Sequence, residues 1–319
     1  MASLAAPAMA HHSAALYNTQ QPMTITGTVT EYRFRNPHIF MTVAVKNADG
    51  STSSIEVEAG AASVLGPLGF TRDSVAVGDV VTIAGNPARN AADKAMLGRD
   101  LTKKDGTYFP LNIASRSIYA ANAATATSIA GTWVSPSLGG FRVPPEVVTD
   151  KGKAEMAKAG PTTTTQKDCI PIGEPSVMFY PVANTITVAK DRVTLKVDWM
   201  DTERVVYLDG RAHPPATQTL LHGHSTGKWE GDTLVIETTN FKEHENGLST
   251  SLPSSTQKKL IERLSLAPDG KNLLYSGTVE DPVYLAKPVE WNGRWEYRPT
   301  MQHSNEKCDI DVARKFLKQ

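Results

Sequence analysis

Arg204 to Phe241 reads RVVYLDGRAHPPATQTLLHGHSTGKWEGDTLVIETTNF. Two apolar β-type runs, Val205 to Leu208 and Thr233 to Ile236, stand on either side of a loop carrying Asp209, Arg211, His213, His222, His224, Glu230 and Asp232. Runs of this kind separated by turn-forming residues point to β-structure. No other stretch sets three histidines beside as many carboxylates. Loops held by a rigid scaffold are where binding and catalytic groups collect, so any chemistry is expected to gather here.

The same alternation extends to both sides. Val193, Leu195, Val197 and Trp199 alternate with Thr194, Lys196 and Asp198, and further on come Leu264 and Leu266, an Asp269-Gly270 turn, Leu273 to Val279, and Val289 to Tyr297. At least six such strands predict a large antiparallel barrel or sandwich, calycin-like or lipocalin-like, over residues 128–319. One short helix is predicted at Thr149 to Ala159, started by Thr-Asp and stopped by Gly160-Pro161. Upstream, Met23, Ile25 and Val29 begin a second series that continues through Ile39 to Val45, Ile55 to Val57, Val80 to Ala84, Met96 to Leu101 and Tyr108 to Ile113. Asp49-Gly50 marks a hairpin, and Ala61 to Leu68 a crossover between the third and fourth strands. That order predicts an OB-like small barrel over 23–114, with a plain antiparallel sandwich as its competitor. Residues 115–127 are small and aperiodic and mark the domain boundary. The expected fold class is all-β, and 319 residues suit two domains.

Lys plus Arg and Asp plus Glu both number 33, so the formal net charge is zero. With no basic run and no field to hold a phosphate backbone, nucleic acid is excluded as a partner. No segment approaches the roughly 18–20 apolar residues of a membrane span. Residues 1–22 read as a signal remnant and N-terminal arm: MASLAAPAMA ends in Ala8-Met9-Ala10, the A-x-A pattern of a signal-peptidase site. This predicts a periplasmic or secreted protein with His11 exposed by cleavage; an ordinary N-terminal tail is the other reading. The two cysteines, Cys169 and Cys308, are expected to pair in an oxidising compartment, or else to be two buried thiols. Oligomeric state is not legible.

Two resemblances add to this. His11-His12-Ser13, then ITGTVTEYRFRNPHIFMTV (25–43) and VGDVVTIAGNPARN (77–90), resemble a family of small exported bacterial proteins of unknown function with an N-terminal His-His-Ser and an Asn-Pro-His motif. YLDGRAHP (207–214), GHSTGKWEGDTLVIETTNF (223–241) and EDPVYLAKP (280–288) resemble another uncharacterised exported family, so the chain reads as the two fused. Neither resemblance brings an activity. The second family usually has Pro-His-Ser-Glu after Asn-Phe, where this chain has Leu252-Pro253-Ser254-Ser255; it either lacks that histidine or uses His244 instead.

Four constellations carry chemistry. An N-terminal His11, with His12 and His38, suits copper through amine and imidazole nitrogens. His222 and His224 would face the same side of an extended strand and bind one ion, with Glu230 or Asp232 as a further ligand, unless Gly223 and Gly231 make turns. In an acid/base site, His224 is the proton-transfer group, Asp232 or Glu230 its partner, Arg211 an oxyanion clamp, and Tyr207 and His213 supporting donors. A structural network, with Arg211 on Asp209 or Asp232, is the plain alternative. Trp199, Trp229, Tyr275 and Trp291 either line a cavity for a small apolar or aromatic molecule or form core. Absent G-x-S-x-G, P-loop, G-x-G-x-x-G and H-E-x-x-H motifs count against serine hydrolases, nucleotide enzymes, dinucleotide oxidoreductases and zincins. The favoured expectation is an organic-cofactor-free lyase, hydratase or isomerase, with a non-catalytic copper- or ligand-binding envelope protein as the alternative.

Overall fold

The computed structural model describes residues 16–112, 124–135 and 141–318. His11, His12 and the Ala8-Met9-Ala10 pattern lie outside the described residues. The chain divides into two compact units, Met1–Ile118 with Lys318–Gln319, and Tyr119–Leu317.

The first unit contains β1 (Met23–Arg33), β2 (Ile39–Lys46), β3 (Thr52–Ala59), the one-turn helix α1 (Ala62–Leu65), β4 (Val80–Pro87), β5 (Ala95–Lys103) and β6 (Tyr108–Pro110). Strand order β3-β2-β1-β4-β5 closes through a β3–β5 pairing into a five-stranded barrel, with β6 beside β5. Alternation dictates what lies inside: Ile25, Val29, Met41, Val43, Val57, Val81, Ile83, Met96 and Leu101 form one buried cluster. Around an odd number of strands, directions cannot alternate throughout, so one pair must run parallel. Here it is β3 with β5.

The second unit contains β7 (Gly131–Val134), α2 (Asp150–Met156), β8 (Asn184–Val188), β9 (Arg192–Val197), β10 (Glu203–Tyr207), β11 (His224–Glu230), β12 (Thr233–Thr239), β13 (Lys259–Leu266), β14 (Asn272–Glu280), β15 (Val289–Tyr297) and α3 (Ile310–Ala313). The Thr149 hydroxyl accepts the Gly152 N–H as the N-cap of α2. The strands β7 to β15 close into a nine-stranded barrel rather than a sandwich. Nine is again odd, and the parallel seam is β10 with β11, where Val206 pairs with Ser225. This corrects an all-antiparallel reading and explains the long loop. A hairpin cannot join parallel neighbours, so Leu208 to Gly223 must carry the chain from one end of the barrel back to the other.

Two expectations about the 204–241 stretch change accordingly. His224 to Glu230 is a strand, not loop. Gly223, at φ +68°, turns the chain just before it, so His222 and His224 do not share a side. A Cβ at Gly223 would sit 2.6 Å from the Thr239 carbonyl oxygen, a second reason for glycine there.

The barrel is filled. Pro171 to Phe179, PIGEPSVMF, is buried residue after residue, and the Phe179 ring lies 5.4 Å from that of Tyr275 on β14. Tyr275 also packs on Trp291 at 5.7 Å and on Trp295 at 4.8 Å. Cys169, just before the plug, is bonded to Cys308, ahead of α3. The bridge closes a loop of 139 residues and restricts the unfolded chain accordingly.

Candidate functional site

Three groups of polar side chains stand out. The first lies inside the second barrel, where inward positions that normally hold apolar residues hold Arg204 on β10, Ser225 on β11, Thr238 on β12 and Glu262 on β13, all buried. Arg204 donates through both terminal nitrogens to both oxygens of Glu262, and the Tyr275 hydroxyl donates to Glu262 Oε1 at 2.7 Å. Burial alone would lower the Arg204 pKa, but the Glu262 carboxylate outweighs it and holds the guanidinium charged.

The plug adds Glu174 to this centre. Its side chain is fully buried, and its Oε1 accepts the Nδ1–H of His222 at 2.8 Å. His222 keeps 19% of its side-chain surface exposed. Burial would raise the Glu174 pKa, yet the neighbouring charges of His222, Arg204 and Lys258 win, holding it down at about 2. Glu174 is therefore ionised and fixes the tautomer of His222. Lys258, also buried, donates to the carbonyl oxygens of Glu174 (3.1 Å) and Gly247 (3.0 Å) and lies 4.0 Å over the Phe241 ring. Burial lowers its pKa to about 8, with Glu174 and Asp281 opposing. Glu174 Oε2 and Arg204 Nε are buried without a hydrogen-bond partner.

His244 is a brace in the same region. Its Nδ1 accepts the Asn246 N–H at 2.9 Å, so its Nε2–H donates to the Pro171 carbonyl, also at 2.9 Å. Both ring nitrogens are spent on backbone, tying the 244–254 loop to the plug. Neither is left to replace the histidine of the Pro-His-Ser-Glu segment.

The second group is on the outer face. Arg211 grips Asp209 and lies 3.7 Å over the Tyr207 ring, which stacks on His224 at 5.3 Å and 23°. His224 Nδ1 meets His213 Nδ1 at 2.9 Å. His213 Nε2 lies 3.3 Å from Glu237 Oε1, and Glu237 pairs with Lys259. Burial, then the charges of His213 and Arg211, lower the His224 pKa.

The carboxylates expected beside His224 are elsewhere. Glu230 ends β11 on the exposed face, paired with Lys228 and Arg263, and Asp232 is exposed in the β11–β12 turn. The strand that places His224 at its start carries these acids to its far end. Arg211, held on Asp209, follows the plain structural alternative. Of the aromatic set, Tyr275 and Trp291 are interior packing, because the plug occupies the space a ligand would need. Trp199 donates to Gln166 at 3.1 Å and packs edge-on against Tyr180. Trp229 faces outward, 42% exposed. The four line no common cavity.

The third group is in the first barrel. His38 Nδ1 lies 3.1 Å from Glu58 Oε1, and the Tyr17 hydroxyl donates to Glu58 Oε2 at 2.9 Å. Glu58 is buried while His38 keeps 36% of its side chain exposed. Among the described residues, no three histidine, cysteine or carboxylate side chains converge as a metal site, and no helix is long and apolar enough to cross a membrane.

Residues 1–97 match the model of a family of unknown function (DUF6152). The match spans the His-His-Ser and Asn-Pro-His motifs and strands β1 to β4, including His38, and carries no activity with it. No curated protein matches the chain.

Sequence reasoning noted His222 only as a metal ligand and missed Glu174 and Lys258. Glu174 sits in PIGEPSVMF, which has no strand or helix period, 48 residues from His222. The available signal was a carboxylate in an otherwise apolar, proline-flanked stretch, a residue type rarely buried unless paired.

Proposed function

We propose that this is an exported small-molecule protein whose second barrel transfers protons without an organic cofactor, with His222 rather than His224 as the acid/base group. The observation that carries this reading is the Glu174–His222 pair: a fully buried carboxylate on one ring nitrogen and a ring that still reaches solvent. Glu174 accepts the hydrogen bond of the Nδ1–H, leaving Nε2 unprotonated as the base. The same carboxylate stabilises the imidazolium formed when Nε2 removes a proton from carbon; returning that proton to another carbon gives isomerisation, and delivering it to a β-hydroxyl as its C–O bond breaks gives elimination of water. Leu220, 52% exposed two residues before His222, suits a small apolar or aromatic molecule with an acidified C–H. The Cys169–Cys308 bond supports an oxidising compartment, periplasmic or secreted.

The test needs no prior substrate. In D2O, a panel of aryl ketones followed by proton NMR should lose α-hydrogens faster with the wild-type chain than with His222→Gln, and Glu174→Gln should slow exchange about 10²-fold or more. Equal exchange in all three chains would sink the reading.

A second reading, a copper-binding envelope protein, is favoured by the Glu58–His38 contact, because metal-bound histidines characteristically hold a carboxylate on their other nitrogen. In this reading His38 would offer its Nε2 to the ion, and His11 and His12, outside the described residues, are the further ligands the sequence suggests. Copper titration of chain beginning at His11 should then lose one equivalent on His38→Ala; unchanged stoichiometry would exclude it.

A further inference from the structure

The outer-face histidines of the second barrel serve neither reading above, yet their arrangement is built with care. His224 is the first residue of β11 and His213 lies in the 208–223 loop, and they bring their Nδ1 atoms to 2.9 Å. Each ring is held from its far side. Behind His224 stands Tyr207, stacked at 23° and itself covered by Arg211, which Asp209 grips. Behind His213 stand Glu237 and the Thr226 hydroxyl, both 3.3 Å from Nε2, with Lys259 pairing Glu237. A carboxylate at Nε2 places the ring proton there and turns the His213 Nδ1 lone pair toward His224. A neutral pair of this kind needs one Nδ1 proton to bridge it, and moving that proton to His224 Nε2 frees both Nδ1 lone pairs, 2.9 Å apart.

We propose that His213 and His224 form a two-nitrogen site for a divalent transition-metal ion of the Cu2+ or Ni2+ class. Nitrogens bound at about 2.0–2.1 Å and set at a right angle are about 2.9 Å apart, the separation found here; tetrahedral ligands stand wider. Right-angled imidazole pairs are the habit of square-planar and tetragonal ions. Both rings are only partly buried, so an ion can enter from solvent and keep water or a second molecule in its remaining positions. Glu237 acts as the positioning residue, through His213.

The experiment uses the full chain carrying His38→Ala, so that copper at the first barrel does not count. One Cu2+ per chain should bind, with an electron paramagnetic resonance spectrum split by two nitrogens. His213→Ala and His224→Ala should each abolish that signal, and Glu237→Gln should weaken binding about 10- to 100-fold. Both rings lie outside the core, so far-UV circular dichroism should be unchanged; should an alanine variant misfold, His224→Asn replaces it. Copper bound equally by the parent and the His213 and His224 variants, or bound by none, would overturn the site and leave a simple imidazole–imidazole hydrogen bond.

Discussion

Glu262→Gln will lower the stability of the second barrel by about 3–5 kcal/mol. Arg204 and Glu262 are 1% and 0% exposed and bonded at both carboxylate oxygens. At that burial bulk solvent does not reach the pair to offset the loss of one charge. The variant leaves a buried guanidinium without its main counter-charge and removes the anionic acceptor of the Tyr275 hydroxyl. Replacing the three together, Arg204→Met, Glu262→Leu and Tyr275→Phe, should recover most of that loss, because the attraction between two buried ions scarcely repays their dehydration and no hydroxyl is left without an acceptor. Urea unfolding followed by tryptophan fluorescence reports this unit alone, since all five tryptophans, Trp133 to Trp295, lie in it. A single-variant loss under about 1 kcal/mol would mean that the pair is hydrated and contributes as a surface pair does.

Lowering the pH from 6.5 to 4 will remove about 3 kcal/mol through His244 alone. Burial first, and the Lys258 charge second, hold the folded-state pKa of His244 at about 4 against an ordinary 6.5, although the bond to Pro171 pulls the other way. Between those values the unfolded chain binds a proton that the folded chain refuses. Stability therefore falls as pH drops through this window, is unaffected above it, and loses nothing more to His244 below it. Protonation has a visible cost, since Nδ1 is already accepting the Asn246 N–H. Glu174, held at about 2 against 4.5, extends the loss in the same direction below pH 4.5. Stability measured against pH should slope between 6.5 and 4.5 in the parent chain and slope less steeply there in His244→Gln, where the lowered His224 and His303 still contribute; parallel slopes would assign the proton to another group.

The fold was legible because strand alternation is a local property. Leu234, Ile236 and Thr238 face inward while Val235, Glu237 and Thr239 face out, as the period of two requires, and Asp49-Gly50 sits at the turn between β2 and β3. The helix was legible for the same reason: Thr149, placed ahead of a run of helix formers, caps it through its own side chain. The cysteine sequence left two possibilities, and the fold brings Cys169 and Cys308 to a Cα separation of 5.7 Å.

The site was less legible. His222 and His224 look alike in sequence, two residues apart, and only the turn at Gly223 sends one toward Glu174 and the other toward His213. Aromatics at strand spacing are the same whether they border a cavity or fill it. The plug decided that question, and nothing in its own sequence says where it goes.

By itself the sequence determined two all-β units, most of their strands, a zero net charge and the crowded loop, since each depends on composition or on residues a few positions apart. Only the tertiary structure decided the parallel seams, the filled barrel and the Glu174–His222 and Arg204–Glu262 pairs. Those depend on closing rings of odd strand number and on contacts across 48 and 58 residues, where the partner is selected by burial rather than by spacing.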